Sequence, residues 1–239
     1  MIALLRGEMI KVRTTRTALG FGSASVLLVV AFVLISILAG DPTTLEAKRD
    51  VFNVGGALSI PLLLFGIVGA TGEFRHRTLA PAVLISPHRG RLTLARLLAY
   101  AFTALLVGVA MVAVAFLIGL PLLASQPGPD LASSDLVELA GGGIIAATLC
   151  CALGVGLGVL VKNQVAGVVG ALVWLFILEP LMPVIWDDLV KGSILGAAAT
   201  LGGASPDEVS WSGALLVLGL WAGVFMAVGL LVDARRDVD

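Results

Sequence analysis

The chain has 239 residues, of which 59% are hydrophobic and only 13% charged, with a mean hydropathy of +1.07 and a formal net charge of −1. A water-soluble domain of this length must cover its surface with charge, and this composition has too little, so a soluble enzyme or binding module is excluded. Charges cluster between apolar runs of about 20 residues, the length at which an α-helix matches the hydrocarbon thickness of a bilayer. Helix is the expected spanning form because backbone groups in lipid must be satisfied within the segment. The strict alternation of barrel strands is absent.

Residues 1–17 come first. A helix over 2–16 puts Ile2, Leu5, Met9 and Val12 on one face and basic residues over much of the rest, as in a helix lying in the membrane interface. The stripe is imperfect, because Arg16 falls on the apolar face while Leu4 and Ile10 fall off it. A tail carrying ordinary flanking charge is the other reading. Six spans follow, at roughly 18–39, 53–72, 97–124, 139–161, 165–186 and 212–232. The first is longer than a signal-peptide core and no clear A-x-A site follows it, so it is expected to remain. Asp41-Pro42 closes it, and Gln126-Pro127-Gly128-Pro129 follows the third span, which is long enough to tilt. Pro61 in the second span suggests a kink. Residues 187–211 form an external segment whose apolar piece, Ile194 to Leu201, is too short to cross. It reads as a surface loop or as a short helix dipping into the headgroups.

Orientation follows from Lys and Arg. Arg6, Lys11, Arg13, Arg16, Arg75, Arg77, Arg89, Arg91, Arg96, Lys162, Arg235 and Arg236 fall on one side, and only Lys48, Arg49 and Lys191 on the other. The basic side is expected to be cytoplasmic and to hold both termini. The expected fold is therefore an all-α membrane protein, a single transmembrane domain over 1–239 with six transmembrane helices and an N-terminal interfacial amphipathic helix.

The segment 73–96 between spans two and three carries five of the twelve inner basic residues and both histidines. Its first part, Glu73-Phe74-Arg75-His76-Arg77-Thr78, can form a short helix ending near Pro81. A helix bearing a carboxylate and alternating cations can dock into a groove on a soluble partner, or it can do no more than enforce topology.

Gly72, Glu73, Phe74, Arg75 and Thr78, followed by Ser86, Pro87 and Arg89, make the chain resemble the permease subunits of bacterial type-2 ATP-binding-cassette (ABC) exporters. Members of that class have an N-terminal amphipathic helix, six spans, a Gly-Glu-aromatic-Arg-x-Gly-Thr-like stretch after span two and a Ser-Pro-x-Arg-like lead into span three. Arg77 departs from the pattern by standing where the family commonly has Gly. The resemblance implies that Glu73, Phe74, Arg75, His76, Arg77 and Thr78 form a coupling helix contacting a separate ATPase subunit. It also implies a second permease copy or a related permease, location in the bacterial plasma membrane, and short outward-facing helices after span five.

Other chemistry is sparse. The chain has no Gly-x-x-x-x-Gly-Lys-Ser/Thr phosphate loop, so it is not expected to be an enzyme, and ATP and Mg would be bound by the partner ATPase. His76 and His88 lack neighbouring ligands, so no metal site is expected. Cys150 and Cys151 read as small buried hydrophobes. Glu179, followed by Pro180, is the one carboxylate inside a span. It reads either as part of the substrate path or outer gate, or as an interfacial residue where span five ends. Gly-x-x-x-Gly pairs at Gly154/Gly158, Gly192/Gly196 and Gly219/Gly223 are no more than chance placement of 29 glycines gives, and they locate no dimer interface. An exporter of a drug, antibiotic, peptide or lipid-like substrate is the expected function. The alternative is an ATP-independent secondary transporter or channel, which needs coupling carboxylates that Glu179 alone would have to supply. A membrane-embedded enzyme is weaker still, because no span carries a catalytic constellation.

Overall fold

A computed structural model describes residues 2–40, 42–75, 89–185, 191–204 and 209–235, and among these every regular element is a helix. The elements are α1 (Ile2–Thr14), α2 (Arg16–Leu38), α3 (Leu45–Asp50), α4 (Val54–Arg75), α5 (Arg89–Leu123), α6 (Ser133–Val161), α7 (Gln164–Val173), a π-helical turn (Trp174–Leu178), α8 (Glu179–Ile185), α9 (Ile194–Leu201) and α10 (Trp211–Arg235). Six helices are long and apolar enough to cross a membrane, as in a multi-pass membrane protein: α2, α4, α5, α6, the continuous run from α7 to α8, and α10.

The bundle is centred on two of them. In their most apolar windows, 61% of Leu45–Gly72 and 56% of Ser133–Val161 is buried, against 17–28% for the other spans. The helices α4 and α6 make the most extensive contact in the fold, with α2 and α5 flanking on one side and α7, α9 and α10 on the other. Hydrocarbon is as apolar as Leu, so burial of Leu gains little here, and close backbone approach must supply the attraction. Gly66 and Gly154 permit it. A Cβ at Gly154 would overlap the Leu63 carbonyl oxygen, and one at Gly66 would overlap that of Cys151. Gly154 and Gly158 therefore face α4 of their own chain, while Gly219 and Gly223 on α10 have open space around the missing Cβ.

The spans differ from the sequence expectation mainly at their charged ends. The α5 helix begins at Arg89, eight residues before the apolar run, because Leu92, Ala95 and Ala99 keep one face buried while Arg91 and Leu94 point outward. The α6 helix likewise begins at Ser133, with the Asp135 carboxylate accepting from the Ala132 N–H at 3.0 Å. Pro61 lies inside α4, and the helix continues through it. Pro180 has a clearer consequence. A proline ring crowds the carbonyl four residues earlier, and the chain just before Pro180 widens into the π turn, where the Glu179 N–H bonds to the Trp174 carbonyl.

The segment after span five contains a true helix. Ser193 caps α9 by accepting from the Gly196 N–H at 2.8 Å, and Ile194, Ala197, Ala198, Thr200 and Leu201 are buried against α4, α6 and α10. A surface loop does not describe it. At the same end of the bundle, Lys48 on α3 donates to the Gln126 and Gly128 carbonyls, and Arg49 pairs with Asp135 at 2.6 Å and Glu138 at 3.1 Å. These contacts pin the α2–α4 connection onto the α5–α6 connection.

Replacing Gly154 by Val is expected to lower stability by about 1–3 kcal/mol, the cost of overpacking a tight contact. Gly219→Ala should be neutral or slightly stabilising, because alanine favours helix and nothing opposes its methyl group. Thermal melting of both purified variants in detergent checks the contrast.

Candidate functional site

Two regions hold polar groups in positions that composition alone does not require. The first is at the basic end, where the chain leaves α4 and re-enters α5. Glu73, Phe74 and Arg75 are the last backbone turn of α4. His76, Arg77 and Thr78, with the rest of 76–88, lie outside the described residues, so the coupling-helix expectation is placed only by the helix ends that bracket it.

Those ends are joined by a buried charge. Arg96, 2% exposed on the second turn of α5, points its guanidinium back to α4, where Nη1 donates to the Ala70 carbonyl at 3.4 Å. Its Nε lies 3.7 Å from Glu8 Oε2 on α1. Glu8 is itself only 4% exposed, and its other oxygen accepts from Lys11 Nζ at 2.6 Å. Thus α1 rests on α5 through Val12, Glu8 and the partly buried Leu5 and Met9, while Ile2 is 85% exposed. The expected face of Ile2, Leu5, Met9 and Val12 is rotated: Glu8 replaces Ile2 on the buried side. The sequence signal was present. Glu8 sits between Leu5 and Val12 at helical spacing, and Arg96 lies between Leu92 and Ala99 in the same way, so each charge interrupts an apolar stripe.

The second region is at the opposite end, around Glu179. The helix does not end there, because the chain remains helical to Ile185, and Glu179 is 6% exposed. Its Oε1 accepts from the Leu195 N–H at 2.8 Å and from the Ser193 hydroxyl, while Oε2 is buried with no hydrogen-bond partner among the described residues. The carboxylate therefore meets the first turn of α9, where free N–H groups favour negative charge. Pro180 is exposed and contributes through the backbone.

Beside α9 lies a cavity of about 220 Å³, lined by Leu63, Leu153, Leu157, Trp174, Leu175 and Trp221 among others. Trp221 packs edge-on to Trp174 at 5.7 Å and stacks on Phe225, and its indole N–H donates to the Gly192 carbonyl at 2.9 Å. Every wall is apolar, so the cavity suits hydrocarbon or aromatic groups and offers no acid or base. Cys150 and Cys151 are fully buried between the central helices, with the Cys151 thiol directed at the Tyr100 carbonyl at 3.6 Å. No group of three or more His, Cys, Asp or Glu among the described residues is placed to hold a metal ion.

Glu179→Leu is expected to cost about 1–3 kcal/mol by leaving the Leu195 N–H and Ser193 hydroxyl unsatisfied in a buried place. Ser193→Ala, which removes the cap of α9, should cost about 1 kcal/mol. In both variants, amide hydrogen exchange should speed up in α9 before it does in α4 or α6.

No family model matches the chain, and a search of curated proteins finds no match.

Proposed function

We propose that this chain is the membrane permease subunit of an ATP-binding-cassette exporter in a bacterial plasma membrane, driven by ATP hydrolysed in a separate ATPase. The observation that carries the reading is the sequence from Gly72 to Arg89, with Glu73, Phe74, Arg75, Thr78, Ser86, Pro87 and Arg89 in the positions of the type-2 permease pattern. Several structural features support it. The stretch joins two spanning helices at the basic end, α1 packs beside its exit, and a short helix follows span five at the other end. The excess of Lys and Arg at the first end supports a cytoplasmic location for both termini, on the side where an ATPase would be found.

In this reading two ATPase copies bind ATP and Mg, and two permease copies, identical or related, enclose the pathway. Closure of the ATPases displaces Glu73 to Thr78 and with them the ends of α4 and α5. Since α4 is the most buried span and α6 lies along it, a shift of its end reaches the core of the bundle. The substrate is of drug, antibiotic, peptide or lipid-like type. Glu179 and Pro180 stand near its outer exit, where the link to α9 gives the carboxylate a gating rather than an ion-carrying part. An ATP-independent carrier is the competing reading, and it rests on Glu179 alone.

Tagged chain co-expressed with candidate ATP-binding-cassette ATPases from the same genome is expected to retain one of them through purification. Glu73→Ala combined with Arg75→Glu should reduce the retained ATPase at least tenfold while leaving the permease folded. Retention at the wild-type level would remove the 73–78 segment from the mechanism.

A further inference from the structure

The cavity beside α9 has no part in the proposed coupling, and its walls say where an occupant would come from. Its back is formed by Leu63 of α4, Leu153 of α6 and Leu175 of the π turn, all buried. Its rim is different. Trp174 and Trp221 are partly exposed, and Gly170 is exposed, with nothing within 4 Å of the place its Cβ would take. The two helices that carry this rim lean on the core separately, α7 on α4 and α6, and α10 on α6 and α9. Their spans are among the least buried, with 22% and 17% of the apolar windows buried. The cavity is thus a slot, closed at the back by the core and open sideways beside Gly170.

For spans of this length the surroundings are the hydrocarbon of a bilayer. Water does not suit the slot, because a buried water needs two or more polar partners and these walls are apolar. The Trp221 N–H is already taken by the Gly192 carbonyl. Left empty, 220 Å³ would forfeit the dispersion contacts of its lining, a cost that grows with volume. An apolar cavity of about 150 Å³ already takes up benzene. A drug-like guest is oriented by a few well-placed polar groups, which this lining lacks, whereas a hydrocarbon chain needs none.

We propose that the slot is a lipid site, in which one acyl chain of a bilayer phospholipid enters past Gly170 and lies between α7 and α10 against Leu63 and Leu153. Contact area alone holds the acyl chain, so the site selects for hydrocarbon and not for a headgroup. The assignment is independent of any ATPase.

Trp174 and Trp221 report the occupant directly. The test uses the full-length protein with Trp186→Phe and Trp211→Phe, which leaves those two as its only tryptophans, stripped of lipid in detergent. The probe is dioleoyl phosphatidylcholine brominated at its double bonds, whose bromines quench an indole on contact. Quenching is expected to saturate at one phospholipid per protein and to remove at least half of the emission. Quenching that rises with added lipid and reaches no plateau would mean that the indoles meet lipid only on the outside of the bundle, and would overturn the site.

Gly170→Leu fills the mouth from open space and replaces glycine by a better helix former, so it should melt no lower than the parent. It should cut the saturable quenching at least threefold, and quenching equal to the parent's would overturn the slot as the place of binding. Competition in the parent protein tests the occupant without any change to the slot. Hexadecane should restore the emission, and biphenyl at the same concentration should restore less than a third as much. Relief by biphenyl alone would give the slot to aromatic guests. Quenching by brominated stearic acid but not by the brominated phospholipid would give it to free fatty acids. Either result would overturn the phospholipid.

Discussion

The backbone contact between α4 and α6 is the constraint on which the rest of the molecule depends. In a bilayer there is no hydrophobic gain in moving a leucine from lipid to protein, so a bundle needs some other source of attraction. Here it is the approach of two helices at Gly66 and Gly154, where each missing side chain leaves room for a carbonyl of the other helix. Once that pair is set, α9 can enter beside it because Gly142 on α6 leaves room for the Leu201 carbonyl. The outer spans then need only moderate burial, and they keep large exposed apolar faces, such as Leu117, Phe176 and Leu220, for lipid or another subunit.

The two ends of this core are finished differently. At the end away from the basic cluster, Lys48 and Arg49 of α3 fasten one connection to another, and Glu179 fastens the widened span five to α9. These contacts set charges against carboxylates, carbonyls or helix-terminal N–H groups, although Arg49 Nε and Glu179 Oε2 are buried with no hydrogen-bond partner among the described residues. At the basic end the buried Arg96 guanidinium on α5 meets Glu8 of α1 and the Ala70 carbonyl of α4.

Much of this was legible in the sequence for a definite reason. Span number and order follow from the length of the apolar runs, because a bilayer allows no other way to bury them, and helix is the one form open to them. The ends were harder. A hydropathy window stops where charge begins, but helix propagation does not, so α5 extends back to Arg89 on the strength of Leu92, Ala95 and Ala99. Nothing in the chain order says that Glu8 and Arg96, 88 positions apart, lie side by side. Glu179 showed itself as unusual, yet the group that stabilises it, the amide of Leu195, is a backbone donor and leaves no mark in composition. The segment 73–78, read from sequence as a coupling helix, is described only as far as Arg75, the last residue of α4, and residues 76–78 lie outside the described residues.

The claim that ties these features together is that work done by an ATPase enters at the basic end. Its most direct test is vanadate-sensitive ATP hydrolysis by the chain reconstituted in proteoliposomes with a candidate ATP-binding-cassette ATPase from the same genome. The account predicts a rate several-fold above that of the ATPase alone, falling back to that level when Glu73→Ala and Arg75→Glu are introduced. Hydrolysis that is the same with and without the chain would contradict it.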